Sequence, residues 1–563
     1  MNRNRLKALV ILAAALLILR IGPALAASPV LSLCYESEGT EIAVRLVETK
    51  EKRDYVLYLP GAFGDREPTI RIDQDTDLIW DGTTYPNGGT LPVSGYVGQK
   101  ISAKFANGRL LGDIQVMRGS AIPSLFFTVT ANDLNRVTVN QKRDIKEPAG
   151  MVMVRGDGSL NADERLTSFK VRGNSTYFAS KKSYTFKMTN KQDLGGMGRN
   201  KKWILLANWF DISLIRNQIT YDLCRELGLT STPDCRQAEV YINGKYNGTY
   251  LLTEKIQLKK NRLEITDLEE KYEALLGQTA YEKAKRRKGS SNAIHIFRYF
   301  NQTAEPEDLT GGYLLEIEKP LHFSIDEESA GFVTDGDMCV TVKEPTYAGK
   351  EAVLYIAGVV NDFHNAVLAK DGVNKKTGKY YLDYIDLHSF AAKVAIEEFT
   401  ANYDVQAASH FMYKDSDRVD SLLYCGPGWD YDLTYGNKDD GMRNPAKLNY
   451  IEKRANTTAF LYRWLLTHED FRQATRKVLE EELQPAAEIL LGRREPPKGS
   501  QLKSIAAYQA EIADSAVMNF TRWNPRGVPD ITDASGRTFE DAGAYVTNWV
   551  QVRTETLMES WLK

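Results

Sequence analysis

TANYDVQAASHFMYKDSDRVDSLLYCGPGWDYD, residues 400–432, contains two candidate strands, HFMYK and SLLYC. It follows a helix predicted over 386–399 from an Asp386 cap and from apolar residues that recur on one face. The turn-forming segment DSDRVD joins the two strands, which indicates a hairpin. Asp404 precedes this hairpin and Asp430 directly follows it. Because a hairpin brings its two ends together, the two carboxylates are expected to lie near one another.

The segment GPGWDYDLTYGN, residues 426–437, places Asp430 and Asp432 among aromatic and turn-forming residues. Carboxylates beside apolar groups are costly unless cations or hydrogen-bond donors satisfy them. A metal ion, a basic side chain or a set of backbone donors would each do so. The residues of this segment leave all three open.

A helix, a loop aspartate, a hairpin and a second aspartate follow one another in the same order in protein kinases. There the first aspartate accepts the proton of the substrate hydroxyl, and the second holds Mg²⁺. Mg²⁺ prefers hard oxygen ligands, and phosphoryl transfer depends on positioning and charge neutralisation. In kinases an asparagine five residues after the first aspartate holds a second metal ion. This sequence has the weaker ligand Ser409 at that position.

Two upstream segments contain the glycine turn and the cations that ATP phosphates require. They are RGNST, residues 172–176, and KKSYTFK, residues 181–187. Taken alone, the first is an ordinary turn, and Lys182 is an ordinary lysine at the end of a strand. Their position N-terminal to the paired aspartates makes them candidates for nucleotide binding.

The chain resembles the CotH (spore coat protein H) kinase family, a group of atypical, secreted or spore-associated protein kinases. Roughly residues 160–440 carry the resemblance, and residues 28–120 and the tail beyond 470 lie outside it. The matching segments are RGNSTYFASKKSYTFKM, KKWILLANWFDISLIRNQI, AEVYINGKYNGTYLLTEKI, GGYLLEIEK, EFTANYD and GPGWDYDLTYGN.

This resemblance implies a two-lobed kinase-like fold that uses ATP with Mg²⁺ or Mn²⁺ to phosphorylate serine or threonine of a protein. It makes Asp404 the catalytic aspartate and Asp430 the metal ligand, with Asp432 and Ser409 as helpers. Candidates for nucleotide binding are Lys182, Arg172, Gly173 and Lys187. Arg216 and Asn217 would orient the lysine or the phosphates, and Glu254 is the nearest candidate acid for the lysine–glutamate ion pair of kinases.

The predicted fold class is α+β, with four segments along the chain. These are a signal peptide (1–26), a small all-β sandwich-like domain (28–120), the kinase-like domain (121–470) and a helical extension (471–563). Within the kinase-like domain, residues 121–320 would form mainly the N-lobe, and residues 380–470 the core of the C-lobe. Residues 121–254 are predicted to form antiparallel strands with one inserted helix, which Asp211 would cap, and with turns at Asn243–Gly244 and Asn247–Gly248.

The N-terminus has the layout of a secretory signal peptide, with a basic start, a short apolar run and small residues before Ala26. We therefore expect a secreted, cell-surface or envelope protein, with a spore coat as one destination. No later segment is long enough to span a membrane. Without the leader the net charge falls from −2 to −6, which disfavours nucleic acid as a partner. The local basic run KAKRRK, residues 283–288, is typical of a solvated loop.

Five cysteines remain after the leader, and neither a CxxC pair nor a Cys/His cluster is present, so a structural zinc site is not expected. Export would permit a disulfide, for which Cys224 and Cys235 are the nearest pair in sequence.

Two further functions stay open beside the kinase. A kinase-like fold can host another nucleotide-dependent transfer, or can serve as an inactive surface or spore-coat binding module.

Overall fold

The structure of the protein is a computed structural model in which the chain divides into two compact units. The first unit contains residues 29–59, 65–118 and 244–246, and the second contains the rest. The predicted leader, residues 1–26, lies outside the described residues. The structure describes residues 29–140, 144–173, 175–259, 262–290, 294, 296–325, 328–406, 408–438, 443–448, 457–524 and 537–561.

The first unit consists mainly of strands, in keeping with the alternation of apolar and polar residues in its sequence. Its strands are β1 (Leu31–Ser37), β2 (Thr40–Val44), β3 (Val47–Glu48), β4 (Asp54–Leu59), β5 (Thr69–Ile72), β6 (Leu78–Trp80), β7 (Thr83–Tyr85), β8 (Lys100–Phe105) and β9 (Leu110–Arg118). One sheet has the order β2-β1-β5, and the other has the order β3-β4-β9-β8-β6-β7.

Seven further strands close into a barrel. They are β10 (Ser124–Thr128), β11 (Glu147–Val154), β12 (Leu160–Arg172), β13 (Ser183–Asp193), β14 (Arg199–Leu206), β15 (Cys235–Ile242) and β16 (Lys245–Glu254). The order is β10-β11-β12-β13-β14-β16-β15, and parallel pairing of β10 with β15 closes it. Large buried side chains such as Phe169, Phe186 and Trp203 belong to its core, so its interior is packed rather than open.

A second sheet of seven strands follows the barrel along the chain. Its strands are β17 (Arg286–Gly289), β18 (Ile296–Phe300), β19 (Tyr313–Glu318), β20 (Ala330–Val333), β21 (Cys339–Glu344), β22 (His410–Lys414) and β23 (Leu423–Cys425). The order is β17-β18-β20-β21-β19-β22-β23. β22 and β23 form the hairpin predicted from the sequence, with Met412 opposite Cys425.

Along the chain, the helices of the second unit alternate with these strands and then follow them. They are α1 (Ala131–Val139), α2 (Arg216–Glu226), α3 (Leu268–Leu276), α4 (Gln278–Glu282), α5 (Pro320–Ile325), α6 (Lys350–Leu368), α7 (Leu387–Thr400), α8 (Thr457–Leu465), α9 (Glu469–Val478), α10 (Gln484–Leu490), α11 (Ile505–Glu511), α12 (Ala513–Arg522) and α13 (Phe539–Trp561). The chain is therefore a mixed α and β protein with a helical C-terminal region.

Three local predictions for the barrel region need correction. The sequence predicted one helix between residues 121 and 254, but the structure has α1 as well, with Thr130 as its N-cap. Asp211 does not cap the next helix, which begins at Arg216; the Asp211 carboxylate instead accepts a hydrogen bond from the Arg216 amide at 2.9 Å. Asn247 and Gly248 lie inside β16 rather than in a turn.

The C-terminal helices share one hydrophobic core with α2, α7 and the segment 429–435. Trp549 of α13 donates a hydrogen bond from its indole nitrogen to the carbonyl of Phe399 at 3.2 Å. Arg553 is fully buried and pairs with Glu398 at 2.5 Å. The helical tail therefore packs directly against the helix that precedes Asp404.

In the part of the chain that the structure describes, no helix is both long and apolar enough to cross a membrane. All five cysteines after the predicted leader are buried free thiols, so Cys224 and Cys235 are not bridged.

Candidate active site

Asp404 lies four residues after the end of α7. Asp386 caps the start of this helix by accepting a hydrogen bond from the Ser389 amide, as the sequence predicted. At its other end Ala401 adopts a left-handed conformation with a φ of 48°. The side chain of Asn402 then accepts a hydrogen bond from the Asp404 amide at 3.0 Å. Helix α7 and this turn fix where the Asp404 carboxylate lies.

Asp430 lies beyond the other end of the β22–β23 hairpin. The Ser409 hydroxyl donates a hydrogen bond to Asp430 Oδ2 at 3.1 Å, so the residues before and after the hairpin meet. The Ser409 amide in turn donates to Glu316 Oε1 at 2.8 Å, which connects this contact to β19 in the same sheet. The structure therefore brings Ser409 to Asp430, which the sequence proposed as a metal ligand.

Asp430 and Ser409 both have left-handed backbone conformations, with φ values of 67° and 64°. Such conformations cost a non-glycine residue about 1–3 kcal/mol and persist only where the surroundings impose them. They are common at functional sites, so the strain at two residues in direct contact marks this position as a candidate site.

Hydrogen bonds from several elements hold the segment GPGWDYDLTYGN in place. The Tyr431 amide donates to the Asn217 side chain at 2.7 Å, and the Tyr435 amide donates to the Thr400 carbonyl at 2.8 Å. The side-chain amide of Asn437 donates to the Asp432 carbonyl at 2.8 Å. The aromatic residues of this segment are buried, and they place the aspartates beside them at a fixed position.

The three aspartates influence one another electrostatically. Burial raises the pKa of Asp404 to about 8, and the charge of Asp430 adds to this rise. Burial also raises the pKa of Asp430, against the opposing effects of Arg172 and Ser409. The pKa of Asp432 is raised well above its ordinary value, first by burial and then by Asp430 and Asp404. We call Asp404, Asp430 and Asp432 the acid cluster.

Arg172 lies beside the acid cluster. Its guanidinium carbon is 5.6 Å from the centre of the Trp429 ring, and Trp429 stacks on Tyr221 at 5.7 Å. Burial lowers the pKa of Arg172, and Asp430 partly offsets this effect. The stacked aromatic rings thus hold the predicted phosphate-binding arginine near the predicted metal ligand.

Gly173 follows Arg172 with a φ of +101°, a conformation that favours glycine. A Cβ atom at this position would lie 1.9 Å from the Thr176 hydroxyl, so another residue would clash there. The predicted glycine turn is therefore a steric requirement of this backbone.

The two lysines predicted to bind phosphate are differently placed. Lys182 is partly buried, and its ammonium group donates a hydrogen bond to the Tyr177 carbonyl and lies 4.8 Å from the Tyr177 ring centre. Lys187 is exposed on β13. In the described part of the chain, no contact joins either lysine to the acid cluster.

Arg216 and Glu254 both form buried ion pairs. Arg216 pairs with Asp211 at 2.6 Å and donates to the Thr434 carbonyl at 3.1 Å. Glu254 pairs with Arg262 through both carboxylate oxygens. Arg216 therefore connects α2 to the segment that holds the acid cluster, whereas Glu254 is paired with Arg262 rather than with a lysine of the KKSY segment.

The sequence analysis missed two basic residues of this site, Lys319 and Lys438. Both lower the pKa of Asp404 through their positive charge, which places them near the acid cluster. Glu316 was missed as well, although the sequence contains a signal for it: it is one of two acidic residues, with Glu318, in the largely apolar strand YLLEIE. It is buried, and Lys343 pairs with it at 2.9 Å.

The donor set of this site suits a hard divalent cation. Asp430, Asp432 and Ser409 supply only oxygen atoms, which Mg²⁺ and Mn²⁺ prefer. Among the described residues no three His, Cys, Asp or Glu side chains form a ready-made metal site. Mg²⁺ at phosphoryl-transfer sites commonly uses one or two carboxylates together with substrate phosphates, so two aspartates and a hydroxyl fit such an ion.

The protein has a mixed α and β fold. Its acid cluster is partly buried, lies just beyond the end of a helix and the end of a hairpin, and includes a strained backbone position. Comparison with family models gives a match to CotH kinase protein over residues 169–557. The chain therefore belongs to the CotH kinase family and is a kinase-like protein. No curated protein matches the chain.

The family match extends well beyond the motifs that first suggested it. It ends at residue 557, so it includes α9 to α12 and most of α13, a region that the motif resemblance did not cover. This extent agrees with the core that the C-terminal helices share with α2 and α7.

Proposed function

We propose that the protein is an exported protein kinase that transfers the γ-phosphate of ATP to serine or threonine of a protein substrate. The observation that carries the proposal is the hydrogen bond of 3.1 Å from the Ser409 hydroxyl to Asp430. The charge of Asp430 also raises the pKa of Asp404, so the two aspartates interact. Membership of the CotH kinase family supports the same class of reaction. A two-lobed arrangement, with the barrel and the second sheet in separate lobes, is part of this proposal.

In this proposal Asp404 accepts the proton of the substrate hydroxyl. A general base works best when its pKa is near the working pH, and the pKa of Asp404 is about 8. A cation at Asp430 would cancel the negative charge that contributes to this high value. The pKa of Asp404 would then fall, and a larger fraction of Asp404 would be ionised at neutral pH and able to accept a proton.

Asp430, with Asp432 and Ser409, would hold the metal ion. The Ser409 hydroxyl donates to one oxygen of Asp430 and fixes the orientation of the carboxylate. When bound, Mg²⁺ or Mn²⁺ with ATP supplies the phosphoryl donor and neutralises charge on its phosphates.

Arg172 is the basic residue best placed to contact the phosphates, because it lies over Trp429 beside Asp430. Lys182 would contribute only after its ammonium group exchanges the Tyr177 carbonyl for a phosphate oxygen. Lys187, exposed on the barrel, is the weakest of the three candidates.

The test is transfer of phosphate from γ-labelled ATP, with Mg²⁺ or Mn²⁺, to the protein itself and to a serine-rich substrate. We expect Asp404→Asn to lower the rate about 10²–10⁴-fold, the usual contribution of a general base. Asp430→Ala should abolish transfer, because it removes the principal metal ligand.

The control is Asp371→Asn, which removes an exposed carboxylate that pairs with Lys375 on the surface. This variant should transfer phosphate as the wild type does. Absence of label in the wild type, together with no effect of ATP on its melting temperature, would contradict the proposal and favour an inactive binding module. A mass gain that corresponds to AMP would indicate a different nucleotide-dependent transfer.

A further inference from the structure

Tyr431, the residue between Asp430 and Asp432, is buried, and its hydroxyl contacts a charged pair. Lys393 Nζ donates a hydrogen bond to this hydroxyl at 2.7 Å, and the hydroxyl donates to Glu397 Oε1 at 3.0 Å. Lys393 and Glu397 lie four residues apart on α7 and form an ion pair with each other. The tyrosine hydroxyl therefore bridges both members of the pair.

The ion pair lies in the interior of the protein, where its geometry has to be good. The side chains of Lys393 and Glu397 are 1% and 0% exposed. Taking two charges out of water is favourable only if further hydrogen bonds satisfy their remaining donors and acceptors. Glu397 Oε2 has no hydrogen-bond partner among the described residues. Lys393 and Tyr431 therefore supply the described hydrogen bonds to this carboxylate, both at Oε1.

The backbone of Tyr431 is held by a different helix. Its amide donates to the side chain of Asn217 on α2 at 2.7 Å. Tyr431 is thus fixed between α2 and α7, while its neighbour Asp430 keeps a left-handed φ of 67°. A strained backbone persists only where its surroundings determine it, and the contacts of Tyr431 supply such surroundings.

Helix α7 carries the ion pair and ends at Thr400, four residues before the candidate base Asp404. The same ion pair therefore contacts Tyr431, between Asp430 and Asp432, and belongs to the helix that precedes Asp404. We propose that Lys393, Glu397 and Tyr431 form a buried positioning unit that sets the separation between Asp404 and the two metal-binding aspartates. This inference rests on the proposed function for what the unit positions, but the placement itself can be measured independently of activity.

Tyr431→Phe is the variant that tests this unit. It removes only the hydroxyl, whereas removing Lys393 or Glu397 would leave a buried unpaired charge and could unfold the protein. The matched control is Tyr435→Phe. Tyr435 is also buried in the same segment, but its hydroxyl contacts Thr220 at 3.1 Å and not the ion pair.

Two readouts are needed. Crystal structures of both variants should show the carboxylates of Asp430 and Asp432 displaced, and the Ser409–Asp430 hydrogen bond lost, in Tyr431→Phe only. Titration of Mn²⁺ in the presence of ATP should show Mn²⁺ binding weakened about 10–100-fold in Tyr431→Phe, the usual effect of removing a group that orients a metal ligand. Excess Mn²⁺ should restore binding, which it would not do for an unfolded variant.

Unmoved carboxylates in Tyr431→Phe, or equal weakening of Mn²⁺ binding in Tyr435→Phe, would overturn the positioning unit. The two proposals fail in different ways. A wild-type protein that transfers no phosphate, combined with displaced carboxylates in Tyr431→Phe, would remove the kinase proposal and leave the positioning unit supported.

Discussion

Two regions of the second unit bury charged groups, and they differ in how those charges are satisfied. Beside α2 and α13, two buried acids have basic partners: Asp211 pairs with Arg216 and Glu398 with Arg553, in side chains that are at most 2% exposed. In the acid cluster, burial and mutual repulsion outweigh the basic neighbours and raise the pKa of all three aspartates.

The presence or absence of a basic partner distinguishes buried charges that stabilise the fold from buried carboxylates that are candidates for a function. A buried ion pair with good hydrogen bonds is compatible with a purely structural role. Carboxylates that repel one another destabilise the folded state, and strongly shifted pKa values of this kind concentrate at functional sites. Three predictions test the comparison.

The largest expected effect concerns the paired region. Arg553→Met leaves Glu398 as a buried charge without its principal partner, so it should lower the free energy of unfolding by about 3–5 kcal/mol, measured by urea denaturation. The double variant Arg553→Met/Glu398→Leu removes both charges and should recover much of this loss. If the single variant were as stable as the wild type, the ion pair would have no structural role.

The second prediction concerns the pH dependence of metal binding. The pKa of Asp404 is about 8 and that of Asp430 is also raised, so at pH 6 bound protons compete with a cation. Affinity for Mn²⁺ should therefore increase from pH 6 to pH 8, by about tenfold per pH unit for each displaced proton, and level off above pH 8. Calorimetry in buffers of different ionisation enthalpy measures both the affinity and the protons released. A flat profile would mean that the cluster is already ionised at pH 6.

The smallest effect concerns stability. An unfolded Asp404 has a pKa of about 3.9, whereas the folded value is about 8, so the folded state holds the proton between these values. Stability due to this group therefore decreases as the pH rises through that window. Asp404→Asn should remove this loss, so its gain in the free energy of unfolding should be larger at pH 6 than at pH 5 by about 1.4 kcal/mol, the value of one pH unit.

The matched control for this prediction is Asp211→Asn. Asp211 pairs with Arg216 inside the protein, so its neutralisation should lower the free energy of unfolding at both pH values. If both variants changed the free energy of unfolding in the same direction, the acid cluster would not differ from the paired acids.

Local patterns in the sequence predicted several elements of the fold correctly. The Asp386 cap and the apolar spacing after it predicted α7, and the runs HFMYK and SLLYC predicted the β22–β23 hairpin. The order of these elements along the chain also singled out Asp404, Asp430 and Ser409. Such features can be read because caps, turns and hydrophobic periodicity act over a few residues.

The start of α2 could not be predicted from the sequence. The Asp211 side chain can either cap a helix that begins directly after it or pair with a basic side chain, and the sequence does not decide between the two. An aspartate ahead of an apolar helical pattern predicts a cap, but here its carboxylate pairs with the buried Arg216 instead. The Asn247–Gly248 pair resembles a turn, but the structure places it within β16 of the barrel. In both cases a tertiary contact or strand pairing outweighed the local preference.

The sequence by itself determined the elements around residues 386–432, the family, and the aspartates that stand at the two ends of the hairpin. Only the tertiary structure decided which charges near them are paired: Arg172 lies beside Asp430, Glu254 pairs with Arg262, and the Lys393–Glu397 pair meets Tyr431. The reason is physical. Helix, strand and turn preferences depend on neighbours in the chain, whereas the partner of a buried charge depends on residues that lie far away in sequence and meet only in the packed core.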